Sequence, residues 1–129
     1  ETRGLEAFYG QTRALHGLDF DLHEGSVTTI LGANGAGKTT TLKAISNLLG
    51  AERGEVTKGE ILFRGERVDS LTPNELVKRG VIQVMEGRHC FEHLTVEDNL
   101  MTGAYTRPAG TTPPPSPKAW RRSTTIFRA

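Results

Sequence analysis

The segment from Val27 to Thr40 constrains the fold more strongly than any other part of the chain. An uncharged run with four β-branched residues, Val27–Leu31, is followed by a glycine-rich stretch and then by apolar residues at helical spacing. The run predicts a strand buried on both faces, and the glycines predict a loop. Residues 39–49 predict a helix that stops at Gly50. A strand, a glycine loop and a helix in this order favour an α/β fold.

The glycine-rich stretch satisfies the pattern G-x-x-x-x-G-K-[ST], from Gly32 to Thr39. Glycines allow the backbone to adopt positive φ and to approach a phosphate group without a Cβ clash. The backbone N–H groups and the start of the following helix then favour an anion. In this pattern Lys38 reaches the β- and γ-phosphates of a nucleotide, and the Thr39 hydroxyl binds Mg²⁺. The alternative is a glycine-rich turn that binds nothing.

Strands and helices are also predicted to alternate outside this segment. Alternating or β-branched residues predict strands over 18–22, 60–63 and 81–84. A helix is predicted to start at Thr72, because Thr72 and Glu75 form a capping box and Pro73 occupies the first helical position, and to end near Gly80. The same capping pattern at Thr95 predicts another helix.

Composition bounds the class of protein. The chain has 129 residues, enough for one ordinary domain. Its single cysteine, Cys90, excludes an intramolecular disulfide framework and is typical of a reducing compartment. His89 and His93 flank this cysteine, but three loop residues without a fourth ligand make a poor zinc site. No run approaches eighteen apolar residues, so no membrane span is predicted.

The amino-acid sequence of the glycine loop resembles that of the ATP-binding subunits of ABC transporters. The resemblance extends from Leu5 to Thr106. It implies that Tyr9 stacks on adenine, although an ordinary strand tyrosine is the alternative. It also implies the following set of ATP-binding residues: Tyr9, Gly32, Asn34, Gly35, Ala36, Gly37, Lys38, Thr39 and Thr40.

Glu86 occupies the position at which most members of this family carry the glutamine of Val-Pro-Gln. The resemblance implies that this residue contacts Mg²⁺ together with Thr39, although a solvated loop carboxylate is the alternative. Glu86 followed by Gly87 and Arg88 resembles the branch that imports branched-chain amino acids, in which Pro is usual where this chain has Met85. The implied function is therefore ATP-driven import of branched-chain or other hydrophobic amino acids.

The resemblance covers only the N-terminal part of an ABC ATP-binding domain, over residues 1–106. The 129 residues contain no L-S-G-G-Q signature, no apolar strand ending in Asp-Glu and no switch histidine. We therefore expect an incomplete α/β P-loop NTPase fold without a complete catalytic set and with negligible hydrolysis. A fragment that binds ATP weakly and another kinase-like P-loop enzyme are the alternatives.

The resemblance also implies partners and a location. The partners are a second ATP-binding subunit and membrane-spanning permease subunits, which place the assembled protein on the inner, cytoplasmic face of the plasma membrane. Neither direct binding of the transported solute nor binding of nucleic acid is expected.

The composition changes at Arg107. Residues 1–106 carry 11 basic and 15 acidic side chains, whereas residues 107–129 carry five basic side chains, five prolines and no acidic residue. This composition predicts a disordered Pro/Arg-rich tail. The tail does not resemble the family. Residues 118–128 can be back-translated with codons that, in another reading frame, encode a helix similar to one of the family. We therefore hypothesise a frameshift after Thr106. A basic arm for nucleic acid or anionic lipid is the alternative.

Overall fold

Two separate sheets form the β-structure of the described residues. The computed structural model describes residues 1–87, 89–106 and 125–128. The larger sheet is antiparallel, with strand order β2-β1-β3-β4, and the smaller one pairs β5 with β6 in parallel. The strands are β1 (Thr2–Tyr9), β2 (Thr12–Phe20), β3 (Gly54–Phe63), β4 (Glu66–Arg67), β5 (Val81–Val84) and β6 (Thr125–Arg128).

Within the described ranges, three α-helices and one short 3₁₀ helix lie between the strands. The first α-helix follows the glycine loop directly, and the 3₁₀ helix, Leu49–Glu52, leads into β3. The α-helices are α1 (Lys38–Ile45), α2 (Pro73–Arg79) and α3 (Val96–Thr102).

The core lies between α1, α2 and the antiparallel sheet. Leu5 and Ala7 in β1, the inner strand with partners on both edges, are fully buried. At Gly59 the backbone has φ 91°, and a Cβ there would lie 2.6 Å from the carbonyl oxygens of Arg3 and Gly4. Only glycine fits at this irregularity between β1 and β3. The buried cluster consists of Leu5, Ala7, Leu15, Ala44, Ile45, Leu49, Ile61, Val68, Leu76 and Val81.

The capping signals at Thr72 and Thr95 predict their helices correctly. The Thr72 hydroxyl accepts a hydrogen bond from the Glu75 N–H, and the Glu75 carboxylate accepts one from the Thr72 N–H at 2.8 Å. Gly80 ends α2 in the left-handed region, with φ 101°. The Thr95 hydroxyl caps α3 by accepting from the Asp98 N–H at 3.1 Å. These signals succeed because each capping interaction involves only neighbouring residues.

The prediction of a buried strand at Val27–Leu31 is wrong. The segment forms no strand, and Val27 and Leu31 are 96% and 87% exposed. A strand buried on both faces needs neighbouring strands on its edges and elements that cover it. Among the described residues, this segment has neither.

The predicted bounds of α1 and β3 also need correction. The helix predicted to run to Leu49 ends at Ile45, with Ser46 as its C-cap. The chain turns at Asn47, which has φ 54° and whose side-chain amide donates to the carbonyl oxygens of Val68, Asp69 and Leu71. This tertiary contact ends the helix before Gly50, which lies in the 3₁₀ helix. β3 is longer than predicted because Gly54, Glu55, Val56 and Lys58, which precede the predicted strand, pair with β1.

Part of the predicted disordered tail forms a strand. Residues 125–128 pair in parallel with β5, in the register Val81↔Thr125 to Val84↔Arg128. The edge of β5 offers hydrogen-bonding partners for the extended backbone of these four residues. The remainder of the tail, residues 107–124 and 129, lies outside the described residues. Within the described ranges, no helix has the length and hydropathy needed to cross a bilayer.

Candidate nucleotide-binding site

The glycine loop forms a compact turn in front of α1. Gly35 and Gly37 have φ values of 84° and 83°, which glycine adopts without strain. The Ala36 N–H donates to the Ala33 carbonyl oxygen at 3.1 Å. A Cβ at position 32 would lie 3.0 Å from the Ala36 Cβ, so the loop closes tightly between these two residues.

The Lys38 side chain folds back over this loop. Its Nζ donates to the carbonyl oxygens of Gly32 and Ala33, each at 2.8 Å. The ammonium group therefore occupies the mouth of the loop, where it would meet a phosphate that approached the backbone N–H groups. The Lys38 ammonium group and the start of α1, where the first N–H groups of a helix have no intrahelical partner, are both features that favour an anion such as phosphate.

Gly37 attaches the loop to α1 and to the antiparallel sheet. Its carbonyl oxygen accepts hydrogen bonds from the Thr41 N–H at 2.8 Å and from the Thr41 hydroxyl at 2.9 Å. A Cβ at this position would lie 2.9 Å from Leu15 Cδ2 and 3.0 Å from the Ala14 carbonyl oxygen of β2. Position 37 therefore requires glycine both for its φ and for its distance from the sheet.

The predicted residues around the loop differ in exposure. Asn34 and Thr39 are exposed and accessible to a ligand, whereas Thr40 is half-buried. An open cleft of about 340 Å³ lies beside Lys38, between β2 and the segment that precedes the loop. Its lining residues are Ala14, Leu15, His16, Gly17, Leu18, Ile30, Leu31, Ala36, Lys38 and Thr41.

Tyr9 lies at the end of β1 rather than in this cleft. It is half-buried, and the edge of its ring lies against Gly54 in β3, where a Cβ would be 2.8 Å from Tyr9 Cε1. The structure therefore places Tyr9 against the next strand of the sheet. Its adenine-stacking role stays a prediction.

Glu86 lies in the exposed loop that follows β5. Its carbonyl oxygen lies 2.7 Å from the His89 Nε2, and its carboxylate faces solvent. Within the part of the chain that the structure describes, no group of three or more His, Cys, Asp or Glu side chains could hold a metal ion. The roles of Thr39 and Glu86 as ligands of a nucleotide-bound Mg²⁺ stay a prediction.

One partly buried contact near the site was not predicted from the sequence. The Ser46 hydroxyl at the end of α1 lies within hydrogen-bonding distance of the Gln83 side-chain amide in β5. Gln83 is the one polar residue in the four-residue strand Val81–Val84. That isolated polar residue is the only sequence signal that could have indicated a buried polar partner.

The fold and the loop agree with a comparison to known families. A family described as ABC transporter matches residues 15–128, which is most of the chain. The chain belongs to the ABC transporter family, as the motifs from Leu5 to Thr106 predicted. The matched range continues past Thr106 into the tail.

The curated relatives are ATP-binding proteins of several transport systems. The chain is 35% identical over 101 residues to the high-affinity branched-chain amino acid transport ATP-binding protein BraG of Pseudomonas aeruginosa, covering 78% of this chain and 41% of BraG. It is 36% identical over 101 residues to the alpha-glucoside transport ATP-binding protein AglK of Rhizobium meliloti, covering 78% of this chain and 26% of AglK. It is 37% identical over 103 residues to the spermidine/putrescine import ATP-binding protein PotA of Nostoc sp., covering 80% of this chain and 25% of PotA. The transported solute therefore varies among these relatives.

A solved structure supports the fold. A nucleotide-free ATP-binding cassette from an ABC transporter superposes with a TM-score of 0.60 at 19% identity, covering 84% of this chain and 47% of that chain. The prediction of a partial α/β P-loop NTPase fold is thus confirmed. The chain spans less than half the length of BraG and of this cassette.

Proposed function

We propose that this chain binds MgATP through residues 32–40 and is the nucleotide-binding part of an ABC importer. The observation that carries the proposal is the Lys38 ammonium group, which lies at the mouth of the glycine loop on the Gly32 and Ala33 carbonyl oxygens. A triphosphate offers this cation a stronger, charged partner than two neutral carbonyl groups. Family membership supports the same ligand, because ABC ATP-binding subunits bind ATP and Mg²⁺.

In this proposal each predicted residue has a distinct role. Lys38 turns from the loop carbonyl oxygens to the β- and γ-phosphates, and the N–H groups at the start of α1 face the phosphate chain. The Thr39 hydroxyl and the Glu86 carboxylate bind Mg²⁺, which neutralises phosphate charge when present. Tyr9 contacts adenine, which requires its ring to present a free face away from Gly54.

The proposed solutes are branched-chain or other hydrophobic amino acids. The sequence Glu86-Gly87-Arg88 and the similarity to BraG support this class over the sugars and polyamines named for other relatives. The chain would pair with a second ATP-binding subunit and with membrane-spanning permease subunits, on the cytoplasmic face of the plasma membrane. Solute would contact those other subunits and not this chain.

A second candidate function is ATP binding without hydrolysis. The exposure of Val27 and Leu31 favours it, because the segment that precedes the loop lacks the neighbouring strands that would fix it.

Calorimetric titration with MgATP tests nucleotide binding directly. The wild-type chain is compared with Lys38→Ala and with Lys78→Ala, which removes an exposed lysine of α2. We expect Lys38→Ala to weaken binding at least tenfold, which is roughly 1.4 kcal/mol, and Lys78→Ala to leave it unchanged. Equal affinities for all three proteins, or no binding by any of them, would contradict the proposal.

A turnover assay on the same proteins separates the two candidates. Phosphate release that depends on Lys38 would establish an ATPase, whereas Lys38-dependent binding without phosphate release would establish the binding-only function. Release that persists in Lys38→Ala would indicate a contaminating enzyme.

A further inference from the structure

The segment Val27–Leu31 has the sequence of a strand but no pairing partner among the described residues. Across residues 1–87, 89–106 and 125–128, no backbone hydrogen bond joins these five residues to another element. All five are exposed, and Val27 and Leu31 are 96% and 87% exposed. A backbone of this kind can offer its N–H and C=O groups to a strand of another chain.

The side chains of this segment suit a sheet better than a loop. Four of its five residues are β-branched, and such residues favour strands. The stretch without charge continues from Gly25 to Gly37, whereas charged residues make up 24% of the whole chain. A short segment with high β-propensity, no charge and no proline is typical of sequences that pair with identical copies of themselves.

The distribution of charge favours a second copy of this chain as the pairing partner. Two identical strands that pair antiparallel about a twofold axis bring the same short stretch of residues together. Like charges directly opposite each other destabilise such a pair, and residues 25–37 carry none. The formal net charge of the whole chain is +1, so repulsion between two complete copies is also small.

The exposed apolar side chains select one register for this pair. With the twofold axis at Thr29, Val27 lies opposite Leu31 of the second copy, and Thr28 lies opposite Ile30 of the second copy. Because alternate side chains of a strand share a face, Val27 and Leu31 of both copies then lie on the same face. Four exposed apolar side chains cover one another around a central pair of threonines, whose hydroxyl groups can hydrogen-bond across the strands. A shift by one residue would place Val27 and Leu31 of the two copies on opposite faces.

We propose that residues 27–31 are a self-association site, at which two copies of this chain pair antiparallel about Thr29. The pairing goes beyond the proposed function, because it requires neither a nucleotide nor Lys38. Two five-residue strands bury far less than the roughly 1,200–2,000 Å² of a stable interface, so the dimer is weak and reversible. The segment therefore stays unpaired at low micromolar concentration and pairs at concentrations of about 0.1 mM and above.

Sedimentation velocity over concentrations from about 5 to 500 μM measures this association. The proteins are the wild-type chain, Val27→Lys, Leu31→Glu and the double variant. Val96→Lys is the matched control, because it places the same charge on a valine of α3 that is 80% exposed. Circular dichroism checks that each protein is folded, and Leu31→Glu provides the test if Val27→Lys does not fold.

We expect each single variant of the pair to weaken dimerisation about tenfold or more, because it places an unpaired charge in the apolar face. The double variant should recover most of the wild-type association, since its two introduced charges lie opposite each other across the twofold axis. Val96→Lys should dimerise as the wild-type chain does.

Disulfide formation tests the register. In a Cys90→Ser background, Thr29→Cys places the two thiols at the twofold axis, where opposite Cα atoms are about 4.5–5.5 Å apart and within disulfide range. The control is Ser26→Cys, whose two thiols lie far from each other in this register. Under mild oxidation at about 0.2 mM protein, we expect Thr29→Cys to form the covalent dimer at least fivefold faster than Ser26→Cys.

Three results would overturn the inference. The first is a wild-type chain that stays monomeric at every concentration, and slow amide exchange of residues 27–31 in that monomer would indicate that another segment of the same chain covers them. The second is a dimer that persists unchanged in both Val27→Lys and Leu31→Glu. The third is an equal rate of disulfide formation for Thr29→Cys and Ser26→Cys.

Discussion

Strand β1 and the segment Val27–Leu31 both carry large apolar side chains, but these side chains have opposite environments. β1 has hydrogen-bonded partners on both edges, and its Leu5 side chain is 0% exposed. Val27–Leu31 is unpaired, and its Leu31 side chain is 87% exposed. The difference does not come from composition, because Val27–Leu31 contains more β-branched residues than typical loops do.

The difference in burial follows from how far along the chain each segment's pairing partners lie. Antiparallel strands can pair through short turns, and β1 reaches β2 through the two residues Gly10 and Gln11. Parallel strands need long crossover connections, and the described residues contain a single parallel pair, β5 with β6. A strand-like apolar sequence thus indicates that the segment can be buried in a sheet. Whether it is buried depends on whether the rest of the chain supplies neighbouring strands.

The largest expected effect is on the free energy of unfolding, when leucine is replaced by alanine in each of the two regions. Leu5→Ala should lower the free energy of unfolding by about 2–5 kcal/mol, because it opens a cavity in the core. Leu31→Ala should change it by less than roughly 0.5 kcal/mol, because the side chain is exposed. Urea unfolding followed by circular dichroism measures both. A loss for Leu31→Ala as large as that for Leu5→Ala would place Leu31 in a core and contradict the comparison.

A second pair of variants tests how the glycine loop is attached to the sheet. Gly37→Ala forces a side chain into φ 83° and against the Ala14 carbonyl oxygen, so we expect a loss of about 1–3 kcal/mol. MgATP binding should weaken together with stability. Gly50→Ala adds a methyl group where nothing lies within 4 Å and should have little effect on either property. Equal stabilities of the two variants would show that position 37 does not contact β2.

The two capped helices give a third comparison. α2 buries Leu76 against the core, whereas α3 has no buried residue. Thr72→Ala should therefore lower global stability by about 1 kcal/mol. Thr95→Ala should unfold α3 locally and leave the global unfolding midpoint unchanged. Urea titration and the helical circular dichroism signal of each variant distinguish these outcomes, and a shifted global midpoint for Thr95→Ala would contradict them.

The smallest expected effect is a pH dependence from Asp69. The hydrogen-bonded Arg67 guanidinium, with N···O distances of 2.7 and 3.0 Å, holds the pKa of the Asp69 carboxyl below its ordinary value. A carboxyl with a lowered folded-state pKa stabilises the fold above its unfolded pKa of about 4, and this contribution is lost as the pH falls through the folded pKa. The stability of Asp69→Asn should therefore decline less below about pH 4 than that of the wild-type chain. The exposed Asp21→Asn variant is the control, and identical acid profiles for wild type and Asp69→Asn would contradict the prediction.

Local signals predicted more of this molecule than long-range ones. Thr72, Glu75 and Gly80 define α2 correctly, because every capping partner lies within the same short stretch. The glycine loop could be predicted for the same reason. Asn47 shortens α1 through carbonyl oxygens that lie more than twenty residues away, and no local pattern indicates such partners. The Ser46–Gln83 contact was missed for the same physical reason.

Two hypotheses about residues 107–129 make different predictions. The frameshift hypothesis predicts that the nucleotide sequence beyond the Thr106 codon encodes the L-S-G-G-Q signature in another frame. β6 and the family match to residue 128 predict instead that the present frame continues as part of the fold. Sequencing of that region distinguishes them.

Hydrogen–deuterium exchange, read by mass spectrometry on the full chain, tests the contrast between the two regions most directly. We predict that amides in β1 exchange slowly and that those of residues 27–31 exchange almost as fast as in an unfolded chain. Added MgATP should slow exchange at residues 35–40 in the wild-type chain and not in Lys38→Ala. Slow exchange at residues 27–31 without nucleotide, equal to that of β1, would contradict the account.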